Sequence, residues 1–173
     1  MLQAPLLAAG LAVSLATAVL AEEAPVAPGT VAFLGIHFLD TSAEGAYYGE
    51  RPEERVRIGL LEDEVRTRFA TEGFTFLDLS PIAEEFDRVV NPANCYGCDV
   101  RMARKLGADY VLVGEVQKVS NLILSMNLIL RETGEGRMVR GQSVEFRSNS
   151  DESWLRGIRY ILKNNIFKGG RTP

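Results

Sequence analysis

Two cysteines three positions apart, in Cys95-Tyr-Gly-Cys98, are the sharpest chemical signal in this sequence of 173 residues. In an oxidising compartment such a pair is expected to close a disulfide. A ring so small removes little chain entropy, about 2 kcal/mol at most, so its effect is local: it locks the turn from Asn94 to Asp99. The alternative is a redox-active dithiol, because a thiolate at a helix N-terminus has a lowered pKa. Against that, the pair does not follow a strand as it does in thioredoxin-like folds. Covalent haem attachment needs a His after the second Cys, where Asp99 stands. A zinc site needs more ligands, and the sole histidine, His37, is remote in sequence.

The other chemistry-bearing residues are less specific. His37 has no Gly-x-Ser-x-Gly elbow to serve, so it reads as a strand-end histidine satisfied by hydrogen bonds. Asp40-Thr-Ser42-Ala-Glu44-Gly45 sets oxygen-bearing side chains at alternate positions before a glycine, like the first half of a calcium loop. The twelfth position holds Arg51 in place of the bidentate Glu. Asp40, Ser42 and Glu44 are therefore candidates for a cation or small ligand, with a solvated loop as the plainer reading. Tyr47 and Tyr48 follow, and loop aromatics are good anchors for a partner. The glycines match neither phosphate-cradling pattern, so no nucleotide cofactor is implied.

Charge divides the chain. Residues 22–136 hold 11 basic and 20 acidic side chains, and residues 137–173 hold 8 and 3. Arg156, Arg159 and Lys163 mark the polar side of a C-terminal helix, which reads as a solvated face or as a docking face for an acidic partner or an anionic membrane surface. The net charge of −4 gives no reason to expect nucleic acid.

These residues need a frame, and the hydrophobic pattern supplies one. Val31 to Phe38 is apolar on both faces, as a central strand is. Asp40 to Arg51 reads as a loop. Pro52 opens a helix with Glu53 and Glu54 in its first turn and a stripe at Val56, Leu60 or Leu61, Val65 and Phe69. Phe74 to Leu79 is expected as a second strand, and Ser80-Pro81 as the start of a second helix. A third helix follows the cysteines. Tyr110 to Val119 is a strand, and Ser120-Asn121 a hairpin turn. In the next strand Leu122, Leu124, Met126, Leu128 and Leu130 share a face. A last strand covers Met138 to Phe146. Asn149 with Glu152 spells a capping box for a final helix striped by Trp154, Ile158, Ile161, Leu162 and Ile166. The order β-α-β-α-α-β-β-β-α gives an α/β (α+β) fold. Its mixed sheet of about five strands has parallel crossovers first, an antiparallel meander last, and helices packed on it.

Residues 1–21 carry no charged side chain, and Leu6 to Leu20 is a nearly unbroken apolar run. They read as a secretory signal peptide cleaved after Ala21, with Ala18 as second choice. A membrane anchor would need about 20 apolar residues, and Gly10 and Ser14 interrupt this shorter run. Residues 22–29 then form a flexible leader, 30–168 a single domain and 169–173 a disordered tail.

Ala103-Arg-Lys-Leu-Gly-Ala-Asp-Tyr-Val-Leu-Val-Gly-Glu-Val116 resembles the amino-terminal domain of TolB and related bacterial envelope domains. The chain is more closely similar to a family of secreted bacterial proteins of unknown function, the DUF3280/DUF2380 type. That likeness lies in Leu39-Asp-Thr-Ser, Tyr47-Tyr48-Gly49, the Cys95/Cys98 pair, Val116-Gln-Lys-Val-Ser-Asn-Leu-Ile-Leu124 and Asn149-Ser-Asp-Glu-Ser-Trp154. The resemblance implies the same fold, and a place beside periplasmic quinoprotein alcohol oxidation. With no catalytic constellation in view, the expected function is a non-enzymatic periplasmic accessory or binding protein without cofactor. It would act through contacts with an envelope protein, with no stable membrane insertion after cleavage. The alternatives are a thiol-disulfide factor using Cys95 and Cys98, and a ligand or cation binder at the loop from Asp40 to Glu50.

Overall fold

Strand β1 (Thr30–Asp40) runs through the middle of the molecule because both of its faces are apolar. Val31 and Phe33 face one hydrophobic cluster, Ala32 and Leu34 another. The computed structural model describes residues 25–169. The expected signal segment 1–21, the expected cleavage site and residues 170–173 lie outside them. Of the leader, residues 25–29 are described: Val26 packs on the core, and the Tyr110 hydroxyl donates to the Ala27 carbonyl at 3.1 Å.

The chain continues through α1 (Ala43–Tyr48), α2 (Pro52–Thr71), β2 (Thr75–Phe76), α3 (Ala83–Phe86), α4 (Cys98–Lys105), β3 (Tyr110–Lys118), β4 (Ile123–Glu132), β5 (Met138–Arg147) and α5 (Asp151–Ile161). Short 3₁₀ turns precede α3 and α4, and a π-helical turn, Leu162–Ile166, prolongs α5. The sheet order is β2-β1-β3-β4-β5. Pairings β1–β2 and β1–β3 are parallel, as helical crossovers require, and β3–β4–β5 is the antiparallel meander. Helices α2 and α5 cover one face, with Trp154, Ile158 and Ile161 on the expected stripe. The other face is closed by α4 and the segment before it, through Ile82, Met102 and Ala103.

Several local expectations are corrected. The loop after β1 contains α1, which Ser42 caps by accepting from the Gly45 amide at 3.0 Å. The second strand is only Thr75–Phe76. Asp78 accepts from the Ser80 amide (3.1 Å) and hydroxyl (2.8 Å), a turn that bends the chain out of the sheet before Pro81. The second helix shrinks accordingly to a 3₁₀ turn and α3. On α2 the buried stripe is Glu54, Leu61, Val65 and Phe69, and Val56 is exposed. Leu122 is also exposed, because β4 begins one residue after it. The cap of α5 is Ser150, not Asn149: the Ser150 side chain accepts from the Ser153 amide. The Asn149 side chain is committed elsewhere.

Candidate functional site

Lys118, the last residue of β3, points to the same side as Leu112 and Val116, into the core beneath α2, and is 0 % exposed. A lysine in such a place needs partners, since an unpaired buried charge is costly. Its Nζ donates to Glu54 Oε1 at 2.6 Å and to Asp40 Oδ2 at 3.2 Å. Glu54 is 0 % exposed as well. It stands in the first turn of α2 and reaches back to accept from the Arg51 amide at 3.3 Å.

Asn149 completes the cluster. Its Nδ2 donates to Glu54 Oε1 at 2.9 Å and to Asn121 Oδ1 at 3.3 Å. Its Oδ1 accepts from Trp154 Nε1 at 2.9 Å and from Arg57 Nη1 at 3.1 Å. Arg57 in turn holds Asp151 at 2.7 Å. The ends of β1 and β3, the hairpin after β3, and the starts of α2 and α5 therefore meet in one hydrogen-bonded cluster.

The electrostatics fix the protonation states. Burial works against the Lys118 charge, but hydrogen bonds to Glu54 and then Asp40 outweigh it and raise its pKa above the usual lysine value. Lys118 is thus an ammonium at neutral pH, an anchor and not a nucleophile. Burial alone raises the Asp40 pKa. The Ser42 hydroxyl and amide (2.6 and 2.9 Å), with Lys118, more than offset it and hold the carboxyl below its ordinary range.

Above this cluster stands α1, tied down at its start by Asp40 and Ser42 and braced by a hydrogen bond between Asn121 and Glu44. It presents Tyr47 and Tyr48, which are 86 % and 85 % exposed. Leu39, Val119, Leu122 and Ile123 are exposed at the same end of the sheet. A cavity of about 440 Å³ opens between Tyr48, Arg51 and Lys118.

The structure brings Asp40 and Ser42 together, while Glu44 turns to Asn121. Lys118 supplies the positive charge beside Asp40. Among the described residues no group of three or more His, Cys, Asp or Glu side chains is placed to hold a metal ion. Cys95 and Cys98 are joined, with Cys98 buried as the first residue of α4. His37 lies half-buried in β1, opposite Glu115 of β3. Arg156 and Arg159 pair with Glu152 and Glu64 at the surface, and Lys163 is exposed.

Sequence reasoning missed Lys118, Glu54, Asn121 and Asn149. Two signals were present: Lys118 falls on the inward alternation of its strand, and Glu54 lies seven residues before Leu61 on the buried stripe.

The architecture is an open mixed sheet covered on both faces, with its polar cluster at the carboxyl ends of two parallel strands, where open α/β sheets characteristically place their sites. The chain belongs to the family DUF3280, described as "Protein of unknown function (DUF2380)", whose model matches residues 29–166. No curated protein matches it. Among solved structures it is similar to the LpoB C-terminal domain from Salmonella enterica, with 15% identity, 70% of this chain and 84% of that chain covered, and a TM-score of 0.50. Lipoprotein GNA1162 from Neisseria meningitidis gives 16% identity, 73% and 85% coverage, and a TM-score of 0.47. TolB from Acinetobacter baumannii gives 13% identity, 75% and 26% coverage, and 0.39. Four of the five segments that carry the family resemblance supply residues to the cluster or to the helix above it: 39–42, 47–49, 116–124 and 149–154. Among the described residues no helix is long and apolar enough to cross a membrane.

Proposed function

We propose that the chain is an exported accessory protein that works by binding another protein of the cell envelope, using the end of the sheet that carries α1. One observation carries this reading: Tyr47 and Tyr48 are almost fully exposed on a helix whose base is pinned by the Asp40–Lys118–Glu54 cluster. Exposed aromatic side chains offer large contact area at a low ordering cost and are enriched at binding hot spots. The Cys95–Cys98 bond and the apolar run before Ala21 support an oxidising compartment.

The test is a pull-down from periplasmic extract with the mature chain and with its Tyr47→Ala/Tyr48→Ala variant. A partner should be retained by the first and lost by the second at unchanged thermal stability. Components of quinoprotein alcohol oxidation are the first to look for. Equal capture by both chains, or repeated capture of nothing, removes the proposal.

A further inference from the structure

The edge of β1 is left open where β2 ends. Strand β2 pairs only with Thr30 and Val31, and the last bond across that edge runs from the Leu77 amide to the Val31 carbonyl at 3.0 Å. Strand β1 continues to Asp40. The Thr41 amide donates to the Lys118 carbonyl at 2.8 Å, so strand alternation turns the main chain of Leu39 and His37 toward β3 and that of Ile36 and Phe38 outward. The outward Ile36 amide is met by a side chain: Glu62 Oε1 accepts from it at 2.9 Å, standing where a neighbouring strand's carbonyl would stand. Among the described residues nothing accepts from the outward amide of Phe38.

A groove of about 420 Å³ runs along this edge. Phe33, Leu79, Phe86 and Val90 line it with apolar surface, and Val90 is largely exposed. Glu62 and Asp87 put carboxylates on it. Arg66, the basic side chain there, is already stacked on the rings of Phe33 (5.0 Å) and Phe76 (5.3 Å). Of the acidic side chains in the segment 72–99, Glu72, Glu84, Glu85 and Asp99 pair with Arg68, Arg88, Lys105 and Arg131, while Asp87 faces the groove.

We infer that this groove receives an extended, basic segment of a partner protein, which adds to the sheet as a strand beside Ile36–Phe38, in line with β2. The free Phe38 amide and the outward carbonyls of Ile36 and Phe38 can be satisfied by another extended backbone, and the pockets beside them select its side chains. Asp87, with Glu62 beside it and Arg66 already stacked on two rings, selects Lys or Arg. This inference is independent of the tyrosine-bearing end and stands if that reading fails.

Random linear dodecapeptides panned against the mature chain provide the probe. Enriched peptides should alternate apolar residues with at least one Lys or Arg, and the tightest should protect the Phe38 amide from hydrogen exchange. Asp87→Lys, which reverses the carboxylate on the groove, should weaken that peptide at least about tenfold. Tyr47→Ala/Tyr48→Ala should leave its binding unchanged. No enrichment, a Phe38 amide already protected in the free chain, or binding indifferent to Asp87→Lys overturns the inference. So does concentration-dependent self-association that Asp87→Lys abolishes, which would give the edge to a second copy of this chain.

Discussion

At Lys118 a single positive charge is shared by two carboxylates, and removing it is expected to be severe. Lys118→Met strands Glu54 in the core without its cation, at a cost of about 3–5 kcal/mol. Urea denaturation reads that directly, and a triple change that also makes Glu54→Leu and Asp40→Asn should recover most of the loss. The same residues set the pH response. The Asp40 carboxyl titrates lower in the fold than its ordinary 3.8, so its stabilisation is complete above that value and is lost as pH falls through the depressed one. Lys118 titrates higher than its ordinary 10.5, so its contribution holds below that value and is lost above it. The stability gap between wild type and Asp40→Asn should therefore be constant near neutrality and close below pH 3.8; a gap that widens in acid contradicts the assignment. From the sequence Asp40 and Ser42 were legible as oxygen donors. The identity of their cation was not, because Lys118 comes from a strand 78 residues away and only the folded sheet sets them side by side.

Elements were legible where one period dominated. The two-faced apolar strands β1 and β3, the alternation of β4 and the stripe of α5 all follow the sequence pattern. Legibility failed where a short polar turn outweighed the pattern, as at Asp78–Ser80, and where a capping residue was needed for a distant contact, as at Asn149. The bulge in β1 is another such place. Gly35 has φ +82°, and a Cβ there would lie 2.9 Å from Glu62 Oε1. Gly35→Ala should cost at least about 1 kcal/mol and loosen the Glu62 bond to Ile36, seen as faster exchange of the Ile36 amide. The cysteine ring, by contrast, closes on three intervening bonds of chain at the start of α4. Replacing both cysteines by serine should lower stability by no more than about 2 kcal/mol, with exchange changes confined to residues near α4. A global loosening would show that the bond does more than hold the turn.

For the whole molecule, the parallel-then-antiparallel sheet was readable from element order, because helical crossovers and hairpins leave few alternatives. Of the proposed working surfaces, Tyr47 and Tyr48 were readable as loop aromatics, whereas the cluster beneath them and the open edge of β1 were not, because they are assembled from remote segments. Exported protein should weigh in as the chain from Glu22 onward, less two hydrogens for the Cys95–Cys98 bond, and intact-mass spectrometry will show it; a full-length mass with two free thiols would contradict the expected processing. The split sheet also dictates a kinetic order. β3, β4 and β5 are hairpin neighbours and close over short stretches, whereas β1 must find β3 across a separation such as Thr30 to Asp109, 79 residues. Substitutions in the meander should slow refolding, and those in β1 or β2 should chiefly speed unfolding. A folding nucleus confined to residues 110–147 would leave residues 30–109 without a folded frame until the meander has been made.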